Sequence, residues 1–265
     1  MPELPDAEVF RRRMDPDALG RTIDHVRVPD GRLLADVSAS TIRRRLRGQS
    51  LEATHRHGKY VFAGISGDNG WLMLHFGMTG SLEVLDDGDD EPEHTKLRLD
   101  FDDGGMLAFT NQRTFGKIGW VREVEAFVED NELGPDALDD MELDELRERL
   151  VTRRSPIKSV LMDQSVLAGL GNVYVDEILF QTGLHPEARP QRLRDETVSR
   201  LHRSMNEVLV KAIEAGADPE AMPAHFLLPH RREGSACPKC GRRLRKQKVG
   251  GRATYYCPRD QRRKT

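Results

Sequence analysis

Residues 59–82 read KYVFAGISGDNGWLMLHFGMTGSL. Two short runs rich in Val, Leu and aromatic residues, 59–65 and 71–76, flank SGDNG, a cluster of turn formers, so they predict paired β-strands. The pattern continues outward on both sides. TIDHVRV (22–28) alternates apolar and polar residues, and KLRLDF (96–101) is split from MLAFTN (106–111) by DDGG. Short strands at this spacing predict a β-sandwich or barrel between Thr22 and about Arg122. Two helices are expected beside it. One spans Asp6–Met14 with Val9 and Phe10 inward and Arg11 to Arg13 outward; the other spans Ala39–Arg47.

From Leu143 the period becomes helical. LDELRERLV, the run after Pro156, NVYVDEILFQTG and LRDETVSRLHRSMNEVLVKAIEAG all carry the spacing of helices. The last stops at Gly216, a residue suited to the position after a helix end. The order is therefore α+β: an N-terminal β-sandwich flanked by helices (1–125), an acidic linker (126–145), a helical domain (146–230) and a small Cys-containing hairpin (231–265).

The chain has 265 residues, enough to bury a core, and a net charge of −3 that hides an asymmetry. Residues 231–265 hold 13 Lys and Arg against Glu233 and Asp260, so the C-terminus is strongly basic on an acidic body. A polyanion, most simply nucleic acid, is the expected partner. Two acidic stretches, 86–93 and 123–148, would repel a phosphate backbone and are expected to face away from it. No apolar run approaches the roughly 20 residues that span a bilayer, and a cytoplasmic protein is expected.

The three cysteines lie between positions 237 and 257, which excludes a disulfide framework and reads as metal chemistry. Cys237-x-x-Cys240 and Cys257-x-x-Asp260 have zinc-ribbon spacing, and Gly250-Gly251 marks the turn of a hairpin between them. Zinc accepts carboxylate oxygen as well as thiolate, so three Cys and one Asp form a reasonable structural site. At the other end, Met1 precedes Pro2. Removal of Met1 leaves a secondary amine that titrates near ~8, nucleophilic toward a sugar C1, with the Glu3 carboxylate beside it for proton transfer.

PELPDAE (2–8), RHGKYV (56–61), LHFGMTGSL (74–82), NQRTFGKI (111–118), IKSVLMDQSVLAGLGNVYVDEILFQTGLHP (157–186) and GRATYYCPRDQ (251–261) occur in this order. Together they closely resemble the formamidopyrimidine-DNA glycosylase and endonuclease VIII (Fpg/Nei, MutM) family over essentially the whole chain. The resemblance implies an N-terminal β-sandwich, a helix–two-turn–helix domain and a C-terminal zinc-finger hairpin, with DNA between them. It implies a monomeric glycosylase and abasic-site lyase acting on double-stranded damaged DNA in base excision repair, with zinc but no small-molecule cofactor and no membrane.

The same resemblance assigns roles. Pro2 is the nucleophile at C1′, Glu3 the general acid/base, Lys59 the second catalytic residue for β-elimination, and Arg252 the residue of δ-elimination or, on physical grounds, a phosphate clamp. Met78, Arg113 and Phe115 fill the gap left by a flipped nucleotide, an act needed because a stacked base is out of reach. His94, Arg113, Arg153, Lys158 and Asn172 contact DNA. Cys237, Cys240, Cys257 and Asp260 hold zinc. Two departures stand out. Thr114 stands where the family block usually carries a second Arg. Only about twenty residues separate Ala215 from Cys237, a region that in Fpg proteins includes the loop closing over an oxidised purine. Fpg-like oxidised purines are favoured. A Nei-like pyrimidine glycosylase and a non-enzymatic damaged-DNA binder are the alternatives, the last opposed by intact Pro2, Glu3 and Lys59.

Overall fold

The computed structural model describes residues 1–67 and 70–263; Asp68 and Asn69 of the SGDNG breaker and Lys264 and Thr265 of the basic stretch lie outside the described residues. The chain divides into two compact units, Met1–Glu132 and Leu133–Thr265. In the first, α1 (Leu4–Asp17), β1 (Ile23–Arg27), β2 (Leu34–Ala35) and α2 (Ala39–Leu46) lead into the strands β3 (Leu51–His57), β4 (Tyr60–Ile65), β5 (Trp71–His75), β6 (Gly80–Leu85), β7 (Thr95–Phe101), β8 (Met106–Asn111) and β9 (Lys117–Val121), then α3 (Val124–Asp130). A four-stranded antiparallel sheet runs β1-β7-β8-β6; a five-stranded sheet runs β2-β9-β5-β4-β3, with β2–β9 the parallel pair.

Period-two alternation makes these two sheets a sandwich. Strand β7 alternates buried and half-buried residues along its whole length. Its Leu97 and Leu99 share one core with Leu82 and Phe109 of the same sheet and with Val61, Ala63 and Leu74 of the other; α1 and α2 close that core with Ala7, Met14, Ile42 and Leu46. The opposite face of the five-stranded sheet is also covered: Phe62 and Met73 pack against Val124, Phe127 and Val128. The start of the acidic stretch is therefore a helix, α3, with an apolar face, and its acidic residues Glu125, Glu129 and Asp130 are exposed.

Helix α1 is longer than its apolar pattern predicts; Phe10 packs against the core as expected, its ring 4.5 Å from that of Phe76, but the buried face also takes in residues outside that pattern. Leu4, Ala7, Glu8 and Met14 are buried while Val9 and Phe10 are half-buried. The buried Glu8 carboxylate is held by Arg56 Nε at 3.1 Å, Arg11 and Arg12. Periodicity assigns an acidic residue outward and cannot see that pairing.

The second unit contains α4 (Leu143–Val151), α5 (Ile157–Leu161), α6 (Asn172–Thr182), α7 (Asp195–Glu214), β10 (Arg245–Val249) and β11 (Arg252–Tyr256). Residues 126–145, read as a linker, thus span the end of α3 and the start of α4. Helix α6 is buried along nearly its whole length and packs on α7, α5 and β11. It stops at Gly183 (φ +72), and Gly216 (φ +66) follows α7 as expected. No helix among the described residues is long and apolar enough to cross a membrane.

The pairing of Glu8 yields a pH expectation. Burial opposes its charge, but the hydrogen bonds from Arg11 and Arg12 prevail and bring its pKa down to about 2. A depressed folded-state value gives stability that is complete above the unfolded value near ~4.3 and is lost as pH falls toward 2. Glu8→Ala should cost about 3–5 kcal/mol at neutral pH by leaving Arg56 buried without its carboxylate, and should flatten the acid limb of a stability–pH curve. Denaturant unfolding between pH 2 and 7 measures both.

Candidate nucleic-acid interface and metal centre

Pro2 is half-buried immediately ahead of α1, and Glu3 is 1% exposed at that helix's N-cap. The Glu3 backbone N–H donates to Asp6 Oδ2 at 2.8 Å, which fixes the direction in which the chain enters the helix. Burial raises the Asp6 carboxyl above its ordinary value. The other end of the arrangement is a two-residue hairpin turn. Gly58 (φ +57) takes the first central position between β3 and β4, and Lys59 the second. The two are tied together: Glu8 of α1 accepts from Arg56 Nε, and Arg56 Nη1 donates to the Gly58 carbonyl at 3.2 Å.

His75, which sequence reasoning passed over, belongs to the same region. It ends β5, pairs with Lys117 on one side and Tyr60 on the other, and its ring lies 4.8 Å from that of Tyr60. Burial first, then the Lys59 and Lys117 ammonium groups, push its pKa down to about 4, so the imidazole is neutral at pH 7. Its Nδ1 is buried with no hydrogen-bond partner among the described residues. A buried polar atom of that kind is uncommon and marks a place where a ligand can bond. The available signal was its position three residues before Met78 in LHFGMTG.

Met78 and Phe115 are 40% and 57% exposed, unusual for large apolar side chains. They sit on two loops fastened to each other. Asn111 Nδ2 donates to the Phe76 carbonyl at 2.9 Å, and the Arg113 N–H donates to Thr79 Oγ1 at 3.0 Å. Gly77 (φ +62) faces the Phe115 carbonyl so closely that a Cβ there would collide with it. The Arg113 guanidinium stands 5.6 Å from the Phe115 ring centre. Thr114, the departure from the family block, adopts φ +53 between them. His94 (φ +63) is exposed, and its carbonyl accepts from the N–H of Asn111, at the start of the Arg113 loop. The structure therefore brings Met78, Arg113, Phe115 and His94 into one neighbourhood.

In the second unit Asn172 opens α6 after Gly171, with its Oδ1 buried and unpartnered among the described residues. Arg153 is half-buried just after α4. Arg252 is exposed at the first position of β11, directly after Gly250 (φ +56) and Gly251 (φ +76), the pair of positive φ values that a type I′ turn requires. Lys158 departs from expectation. It is 0% exposed, and its Nζ donates to Asp176 Oδ1 at 2.6 Å, Thr254 Oγ1 at 2.8 Å and the Ala253 carbonyl at 3.2 Å. With three acceptors and no accessible surface, this ammonium ties α5 and α6 to the hairpin and does not reach a phosphate. Sequence reasoning also missed its partner Asp176 and the second cation on that carboxylate, Arg231, which donates to Asp176 Oδ2 at 2.8 Å.

Cys237, Cys240, Cys257 and Asp260 present four donor atoms within 4.8 Å of one another. Cys240 Sγ lies 3.5 Å from Cys257 Sγ, and Cys237 Sγ lies 3.4 Å from Asp260 Oδ2. A tetrahedral zinc with Zn–S near 2.3 Å spaces its donors about 3.5–3.8 Å apart, so the set fits a structural zinc. Burial pushes the Cys257 thiol up to about 12 and raises that of Cys237; at Asp260 burial is outweighed by the hydrogen bonds from the three thiols, and its carboxyl is lowered. Zinc uptake must displace these thiol protons, so occupancy should fall steeply with acidification. Untagged protein should carry one zinc per chain by elemental analysis. Asp260→Cys should retain it, and Asp260→Ala should weaken it by more than the ~10–100-fold typical of an outer-shell partner. Wild-type protein without stoichiometric zinc would overturn the assignment.

Comparison with known proteins agrees with this geometry. Models of the formamidopyrimidine-DNA glycosylase N-terminal domain, its H2TH domain and the zinc finger found in FPG and IleRS match residues 1–118, 133–222 and 234–263. Formamidopyrimidine-DNA glycosylases of Salmonella arizonae and Shigella dysenteriae are 33% and 34% identical over 97% of this chain and 98% of their own length. Lactococcus lactis Fpg (MutM), solved with DNA containing N7-benzyl-Fapy-dG, superposes with a TM-score of 0.90 at 28% identity over 99% of this chain and 100% of that one. A MutM complex with DNA containing carbocyclic 8-oxo-G gives 0.89 at 28% identity, covering 99% of this chain and 100% of that chain. The chain belongs to the formamidopyrimidine-DNA glycosylase family.

Proposed function

We propose that the protein is a bifunctional DNA glycosylase and abasic-site lyase of base excision repair that removes oxidised bases from duplex DNA. The observation that carries the reading is the tether in the first unit: the helix that begins at Pro2 and Glu3 is locked through Glu8 and Arg56 to the turn that presents Lys59. Preorganised reacting groups are what such chemistry needs. With Met1 removed, the Pro2 amine attacks C1′ of the damaged nucleotide. The glycosidic bond breaks, the base leaves with a proton, and Glu3 serves as acid and base for ring opening and proton transfer. The resulting iminium acidifies the C2′ proton; its removal, with Lys59 assisting, expels the 3′ phosphate. A second elimination expels the 5′ phosphate and leaves Pro2 free after hydrolysis.

Around this centre, Met78 and Phe115 occupy the vacated stack and Arg113 faces the orphaned base. Arg252, Arg153, Asn172 and His94 bind backbone, where a guanidinium fork or an amide suits phosphate. Oxidised purines are the favoured substrates, a reading supported by similar proteins solved with DNA containing N7-benzyl-Fapy-dG and carbocyclic 8-oxo-G. One observation favours Nei-like pyrimidine lesions as a second reading. The short stretch after α7 is pinned inward, with the Leu227 and Leu228 N–H groups donating to buried Glu177. We place the protein in the cytoplasm, on the nucleoid.

Borohydride should trap a covalent complex with abasic-site duplex through Pro2. Pro2→Gly should reduce trapping strongly and an N-terminal extension should abolish it; undiminished trapping with the extension would move the nucleophile to a lysine. Met78→Ala and Phe115→Ala should slow base removal by roughly 5- to 160-fold, the range expected from ~1–3 kcal/mol of stacking, while leaving cleavage of a preformed abasic site much less affected. Equal losses on both substrates, measured in single-turnover reactions, would make these residues merely structural. Cleavage of a duplex panel carrying 8-oxoguanine, formamidopyrimidine, thymine glycol and dihydrouracil decides between the two lesion classes.

A further inference from the structure

The second unit carries a groove of about 690 Å³ that none of the residues discussed above explains. Six guanidinium groups line it, from Arg189, Arg192, Arg194, Arg200, Arg262 and Arg263, against the single carboxylate of Glu187. All six arginines are exposed. Their internal bonds leave most donors available. Arg200 Nε donates to the Thr182 carbonyl at 3.1 Å, Arg262 Nε to the Arg259 carbonyl at 3.1 Å, and Arg189 Nη1 to the Arg154 carbonyl. Arg263 reaches Glu187 only at 3.5 Å, and Arg192 and Arg194 have no carboxylate partner among the described residues. Arg194 is the N-cap of the 20-residue helix α7, whose first-turn Asp195 and Glu196 offset the positive end of the helix, so the groove's field rests on its arginines.

Like charges gathered in one concavity repel each other, and an anion relieves that repulsion. Every cation here is arginine, whose planar fork pairs two donors with two phosphate oxygens. No Phe, Tyr or Trp lines the groove, so it lacks the stacking platform on which single-stranded bases lie. The groove is also separate from the end of the unit that holds Asn172. It takes in Gly183, beyond the C-terminus of α6, whereas Asn172 opens that helix; 11 residues at ~1.5 Å each put the two ends about 16 Å apart. The hairpin runs the same way, with Arg252 at its tip and the Asp260 backbone next to Gly183.

We propose that this groove is a second nucleic-acid site, which grips the phosphate backbone of an undamaged duplex segment while the lesion is held elsewhere. This rests on the reading of the protein as a DNA-repair enzyme. Because its contacts are to phosphate, the site is indifferent to sequence and to damage, and it is strongly salt-dependent. It lets one molecule touch two stretches of duplex and pass between them.

The test uses full-length protein and the variant R192S/R194S/R262S, all at exposed positions outside the proposed catalytic and lesion-binding residues. Native mass spectrometry at low ionic strength, with short abasic-analogue duplex and excess undamaged duplex, should show wild type carrying two duplexes and the variant one. Cleavage of lesion duplex by the variant should remain at the wild-type rate, which also shows that it folds. A wild type that takes one duplex only, or a variant that still takes two, overturns the proposal. So does a variant that loses lesion cleavage, since the groove would then belong to the lesion site. Preferential capture of a labelled oligoglutamate peptide over duplex would reassign the groove to an acidic protein partner. If lesion cleavage fails in wild type while groove-dependent binding of the second duplex persists, the repair reading falls and the groove stands.

Discussion

One carboxylate, Asp176, holds the second unit together. Buried on α6, it receives Lys158 from α5, Arg231 from the stretch after α7, and the Tyr255 N–H of the hairpin at 3.1 Å. The hairpin and its metal loops form too short a module to bury a core of their own; their small apolar cluster borrows Phe180 of α6 and Leu227. Position and angle of Arg252 therefore depend on polar bonds that are satisfied only in one arrangement. Burying such groups is costly unless every partner is present, and this is what gives the arrangement its specificity.

The first unit repeats the strategy. A buried Glu8–Arg56 pair sets α1 against the β3–β4 turn, so two segments that are far apart in sequence are fixed by one ion pair. In both units the apolar core provides the platform, while charged residues inside it aim the exposed side chains. At Glu8 the hydrogen bonds outweigh the cost of burial, whereas at Asp176 burial prevails and raises the carboxyl despite Lys158 and Arg231.

Much of this was legible in the chain. Alternation in KLRLDF, turn formers such as Gly250-Gly251, and the spacing of Cys237, Cys240, Cys257 and Asp260 each follow from short-range geometry, which local sequence reports directly. What escaped is long-range. Lys158 sits in a block that the family resemblance ties to DNA, yet its neighbours in space come from positions 18 and 96 residues away. Glu8 reads as an outward acid until Arg56 is placed beside it. His75 lies inside the LHFGMTGSL block, but only folding shows that its ring holds a buried nitrogen unpartnered among the described residues. The apolar face of α3 was hidden by the acidic residues around it.

Gly77 has a consequence for how such an enzyme can drift. Its backbone lies against the Phe115 carbonyl with no room for a single added carbon, and its φ is one that side chains resist. The separation of the two loops that carry Met78 and Phe115 is therefore closed to gradual change. Change here must proceed through the side chains those loops carry, at positions 78, 113, 114 and 115, on a frame whose width stays constant. Thr114 already places a short hydroxyl side chain between Arg113 and Phe115, at a left-handed φ of +53.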